Sequence, residues 1–162
     1  MKIYLDTNVW IRNFEQGSII INSQREAVGD ILESHFDIIS SKFQIKQLSH
    51  LIQNELNADK KIIYQSAKDL CELTCPNSSK RFTLCRMEAQ RLFTTAQLND
   101  FEDALQIIIA SMSGAEFFIT ADDELYQTKK HTIERLVPVI VSSITHNLQI
   151  VDPVEFKRIT RI

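Results

Sequence analysis

The chain has 162 residues, 44% apolar, 24% charged and 8% aromatic, the profile of one globular domain able to bury roughly two-thirds of its unfolded surface. Three glycines (Gly17, Gly29, Gly114) and three prolines (Pro76, Pro138, Pro153) exclude collagen and low-complexity architectures, and no GxGxxG or GxxxxGK(S/T) phosphate loop can be written with them. Eighteen Lys+Arg against 21 Asp+Glu leave a net charge of -3, so contact with a nucleic acid requires a local basic patch rather than the whole surface.

The opening Met1-Lys2-Ile3-Tyr4-Leu5-Asp6 meets charge before an apolar signal core can form, and no run approaches ~18 apolar residues. A soluble, cytoplasmic protein with no membrane partner is expected. Cys71, Cys75 and Cys85 are odd in number and read as reduced, buried small residues rather than as a zinc site, since the nearest histidines are remote in sequence.

In chain order, residues 2–5 form a short buried strand ending on Asp6. Thr7 or Asn8 caps a helix carrying Val9, Trp10, Ile11 and Phe14, which Gly17 ends. Asn22 or Ser23 opens a second helix with Ala27, Val28, Ile31 and Leu32 inward. Residues 36–39 read as a second strand, and Ser40 or Ser41 caps a third helix built on Phe43, Ile45, Leu48, Leu51 and Ile52. A fourth runs from Asn54 to about Leu73, followed by a loop over residues 75–79. Residues 82–98 are helical, and Asn99 or Asp100 starts another helix to Met112 that Gly114 ends. Residues 117–119 form a third strand, and 124–130 a short helix. The apolar stretch 136–144 contains Pro138, so strand and broken helix both remain open. Residues 148–151 are a short strand, and Pro153 begins a terminal helix. Strands alternating with helices imply an α/β layer on a parallel sheet of four or five strands.

Ligands of an open parallel sheet gather at the carboxyl ends of its strands. Asp6 and Asp122 fall there, and Asp100 and Asp103 share a face at a helix start, with Glu102 pointing elsewhere. Each acid alone has an ordinary explanation as a cap or first-turn residue. Together they form a repelling set that a hard divalent cation, Mg²⁺ or Mn²⁺, would compensate, and such a cation activates a water. The histidines are scattered, and Trp10 reads as core. Basic groups occur at Lys60-Lys61, at Lys80, Arg81, Arg86 and Arg91, and at Lys129-Lys130-His131. The second group directly precedes the acidic helix, which makes it the first choice for holding the phosphates of a nucleic acid.

At these residues the sequence resembles the PIN-domain nucleases, which include VapC-type toxins. Three segments carry the likeness: Tyr4-Leu5-Asp6-Thr7-Asn8, then Asn99-Asp100-Phe101-Glu102-Asp103-Ala104-Leu105-Gln106, then Phe118-Ile119-Thr120-Ala121-Asp122. Residues 150–156 look like the family's closing strand and helix. The resemblance implies one PIN-like domain over residues 1–162 and a metal-dependent endoribonuclease, the toxin half of a toxin–antitoxin pair. It implies Asp6, Asp103 and Asp122 as catalytic metal ligands for Mg²⁺ or Mn²⁺, with Asn8, Asp100 and Thr120 in support. The family usually carries a glutamate several residues past the serine after its second strand; counted from Ser41, that position is Gln47, which brings no charge and cannot take a proton. The alternative is therefore a catalytically weak or inactive PIN-like module that binds RNA or protein. The apolar stretch 136–144 could cover the face of a second copy of the chain or bind an antitoxin.

Overall fold

Ile3, Tyr4 and Leu5 are fully buried, as are Phe118 and Ile119, because both segments are strands covered on two faces, where a continuous apolar run replaces alternation. The computed structural model describes residues 1–75, 85–144 and 146–162. Among them four strands, β1 (Lys2–Leu5), β2 (Asp37–Ile39), β3 (Phe117–Ile119) and β4 (Gln149–Val151), form one sheet in the order β2-β1-β3-β4. Every pairing is parallel. Tyr4 lies opposite Phe118 in the register, and their rings stack at 5.7 Å.

Successive strand side chains point to opposite faces, and this splits the interior into two cores. Ile3, Leu5, Phe117, Ile119 and Val151 pack with Val9, Trp10, Val28, Ile31, Cys71 and Phe156 on one side. These come from α1 (Thr7–Arg12), α2 (Ile19–Glu33), α4 (Ala58–Thr74) and α8 (Pro153–Thr160). Tyr4, Phe118 and Ile150 face the other core, filled by α5 (Arg86–Thr95), α6 (Phe101–Met112) and α7 (Lys130–Ile140). The remaining helix, α3 (Lys42–Asn54), reaches both: Leu48 joins the first core and Phe43 packs against the second.

Several starts are set by side-chain caps. Ser41 and Gln44 form a reciprocal capping box on α3, Asn57 caps α4, Asp100 caps α6, and Asp152 caps α8 with Pro153 in the first turn. Gly114, at φ 83, adopts after α6 the left-handed turn that its missing Cβ permits. Other boundaries differ from the sequence reading. The N-cap of α1 is Asp6, with α1 ending at Arg12 rather than near Gly17. Ser18, not Asn22 or Ser23, caps α2, so its first turn, with Ile19 and Ile20, stays exposed. The short helix after β3 is a single π-helical turn, Glu124–Thr128.

The region around Pro138 resolves as helix. Pro138 lies inside α7, whose Ile133, Val137 and Ile140 are buried; packing of that stripe outweighs the proline penalty of roughly 3 kcal/mol. Within the stretch 136–144, Val137, Ile140 and Val141 are interior, and Val139 alone of the apolar residues there is largely exposed. The loop expected over residues 75–79 lies, beyond Cys75, outside the described residues. All three cysteines are buried. No helix among the described residues is long and apolar enough to cross a membrane.

Candidate active site

The strand order places β2 on one side of β1, and β3 and β4 on the other. Consecutive connections therefore leave β1 and β3 in opposite directions, opening a crevice at the carboxyl ends of these two strands. Asp6 follows β1 and Thr120 follows β3 directly, so both stand at that switch point.

Asp6 continues the ladder, its N–H donating to the Ile119 carbonyl at 2.8 Å. Although it occupies the N-cap of α1, its side chain makes no capping bond. The Thr120 hydroxyl donates instead to Asp6 Oδ2 at 2.7 Å. That hydroxyl also accepts from the Asp122 N–H at 3.1 Å and from Asn8 Nδ2 at 3.4 Å. Asn8 Oδ1 accepts from the Ala121 N–H at 3.1 Å, so Asn8 ties the loop after β3 to α1. Asp122 Oδ1 accepts from the Glu124 N–H at 2.9 Å, which fixes the carboxyl at the start of the π-helical turn.

The acids of α6 approach from the side. Asp100 Oδ1 accepts from the Glu102 N–H at 2.8 Å, leaving its second oxygen outside the cap. The Asp103 carboxyl rises from its ordinary 3.8 to about 8, first through burial and then through the charges of Asp6, Asp100, Asp122 and Glu102. Asp6 rises to about 6, again chiefly through burial, with the bonds from Thr120 and the Thr7 N–H opposing the shift and the charge of Asp122 adding to it. Asp6, Asp100, Asp103 and Asp122 thus lie within electrostatic reach of one another, and none forms an ion pair among the described residues.

Gln47 occupies both ends of its amide. Its Oε1 accepts from the Thr7 hydroxyl at 2.6 Å, and its Nε2 donates to Glu102 Oε2 at 2.7 Å. Glu102, expected to point away, faces α3 and adds its charge to the field at Asp103. Two further residues were given no role in the sequence reading, although Gln106 stands in one of the segments that carry the likeness. Gln106 Oε1, one helical turn after Asp103, lies within hydrogen-bond distance of the Thr7 N–H, the Thr7 hydroxyl and Gln44 Nε2. Gln44 Nε2 also donates to the Leu5 carbonyl at 2.5 Å. These buried amides lock the end of β1 to α3 and α6, and the only sequence signal was two glutamines at helix positions that otherwise face the core.

No family model, curated protein or solved structure matches the chain. Function therefore rests on the geometry and on the resemblance in the short motifs. Of the basic residues expected near the acids, Lys80 and Arg81 lie outside the described residues, while Arg86 and Arg91 are exposed on α5, which packs against α6 and α7. No bond among the described residues joins either arginine to the acids.

Carboxylate oxygens without a neighbouring cation are the donor chemistry of a hard divalent ion. Among the described residues no three His, Cys, Asp or Glu side chains form a ready-made metal cage. Mg²⁺ does not need one, since it binds through one or two carboxylates and keeps several waters. The residues fit such an ion on the chemistry of their oxygens, with Asp6 buried and Asp103 half-buried.

Proposed function

We propose that the chain is a PIN-like, Mg²⁺- or Mn²⁺-dependent endoribonuclease that hydrolyses RNA phosphodiesters. The observation that supports this best is the gathering of Asp6, at the switch point of a parallel sheet, with Asp103, Asp100 and Asp122, close enough that their charges and burial raise the Asp103 carboxyl. Such clustering is destabilising unless a cation neutralises it. Strongly shifted carboxyls in a crevice are the physical mark of a functional site. In this reading Asp6 and Asp103 hold the ion, and Asp122 and Asp100 add charge from the loop after β3 and from the helix cap. A bound ion supplies a nucleophilic water and neutralises the phosphate.

The chain's own residues do the positioning. Thr120, the Thr7 N–H and the Gln106 side chain hold the Asp6 carboxyl in place. Asn8 keeps the Asp122 loop against α1. Thr7 joins Gln47 and Gln106 into the wall of the site. A protein antitoxin is the partner that the resemblance implies.

The test is cleavage of single-stranded and structured RNA with Mn²⁺ by the wild type and by an Asp6→Asn, Asp103→Asn double variant. Cleavage by the wild type alone is expected. Equal rates would remove these residues from the reaction. A second reading is favoured by Gln47, whose amide is spent on Thr7 and Glu102 and offers no base: a PIN-like module that binds RNA without cutting it. Calorimetry separates the two, because a silent module would show no Mn²⁺ site in the wild type and would gain one in Gln47→Glu.

A further inference from the structure

Phe43, Lys46, Gln47, His50 and Leu51 recur at three- and four-residue spacing along α3, which places them on one helical face. That face lines a cavity of about 370 Å³, closed by Thr7 from α1 and Glu102 from α6. Its size lies within the roughly 300–1,000 Å³ span of small-ligand sites. Phe43 and Leu51 give it an apolar wall. Lys46 and His50 are exposed and bring positive or proton-donating groups to a protein whose net charge is -3. Lys46 makes no ion pair among the described residues. Asn54 Nδ2 lies 2.9 Å from His50 Nε2, which ties the ring to the next turn of α3.

The cavity adjoins the acids through the chain itself, since Thr7 follows Asp6 and Glu102 precedes Asp103. A ligand reaching from the cavity to the acids needs an apolar plane at one end and a phosphate within one unit of it. We propose that this cavity is a nucleotide subsite, holding one base of single-stranded RNA against Phe43 and Leu51 with its phosphate at Lys46 and His50. The proposal rests on the phosphodiester-substrate reading above and adds where the neighbouring nucleotide sits.

The experiment avoids cleavage altogether. A fluorescein-labelled 2′-O-methyl oligoribonucleotide of about six residues is titrated in EDTA, by anisotropy, against the wild type, Lys46→Glu/His50→Glu and Asp6→Asn/Asp103→Asn. The charge-reversed variant should bind at least ~10-fold more weakly, and its log Kd should depend less steeply on log salt by about one phosphate contact. The Asp-substituted variant should bind at least as well as the wild type, having lost two negative charges. Amide shifts over residues 43–51 in NMR spectra should move with the oligonucleotide. Unchanged affinity in Lys46→Glu/His50→Glu, with its fold verified by circular dichroism, overturns the subsite, as does absence of binding by the wild type. The nuclease reading is decided separately, by Mn²⁺-dependent cleavage in the Asp variant, so either can fail alone.

Discussion

The Thr120 hydroxyl donates to Asp6 and receives the Asp122 N–H, so one oxygen links the two strand-end acids. Thr120→Val keeps the shape and removes both bonds, together with the one from Asn8 Nδ2. The Thr120 bond holds the Asp6 pKa down against burial, so its loss should raise the Asp6 carboxyl above about 6. A carbon-13 titration of the Asp side chains would show this, with Thr120→Ser restoring the wild-type curve. Loss of the buried bond should also lower stability by about 1–3 kcal/mol in urea unfolding. An unshifted Asp6 curve would mean that Thr120 does not support that acid. At this scale the four aspartates were legible because each ends a strand or opens a helix, and those positions can be read from local pattern. The contacts of Gln106, Gln44 and Glu102 were not, because these partners lie 39 to 99 residues away, and no local rule says which amide will meet which hydroxyl.

Among the elements, α3 is anchored at its first turn. Ser41 accepts from the Gln44 N–H while Gln44 Oε1 accepts from the Ser41 N–H, and the Ser41 hydroxyl lies 2.9 Å from the buried Tyr4 hydroxyl. Ser41→Ala should therefore lose a cap and orphan a buried phenol, for a combined loss of about 2–4 kcal/mol. Adding Tyr4→Phe should return part of that loss, and a double-mutant cycle measures the coupling. Strict additivity would show that the two hydroxyls do not interact. The α7 helix carries the opposite situation, an internal Pro138. Pro138→Ala should restore an N–H donor and raise stability by about 1–3 kcal/mol, less the entropy regained by the unfolded chain. A fall in the melting temperature would argue against a helix there. The sequence could not decide this element because 136–144 is rich in β-branched residues and proline. The buried stripe of Ile133, Val137 and Ile140 decides it, and that stripe matters only once the sheet supplies a surface to cover. The strands were readable for the converse reason: Ile3-Tyr4-Leu5 and Phe117-Phe118-Ile119 are too short and too apolar to be surface helices.

For the whole molecule, the acid cluster ties folding to pH and to cations. The carboxyls of Asp6 and Asp103 have folded values of about 6 and about 8 against an ordinary 3.8, and Asp152 is raised as well, first by burial. A raised acid binds its proton more tightly when folded, so between the ordinary and the folded values the native chain holds more protons than the unfolded one. Unfolding free energy then falls as pH rises through that window; the penalty is absent below the ordinary value and complete above about 8. In EDTA the melting temperature should decline from about pH 5 to about pH 8, and Asp103→Asn should flatten most of the decline. Each kcal/mol corresponds to roughly 2–4 °C for a chain of this size. A divalent ion that binds only the folded state should reverse the loss at high pH, by about 2.7 kcal/mol at a hundred times its dissociation constant. Calorimetric scans across pH, with and without Mn²⁺, test both halves together. If stability in EDTA instead climbs through this window, the cluster is neutralised within the protein itself and no cation is called for. If it declines and Mn²⁺ leaves it unchanged, the acids repel as described but do not form the site of that ion.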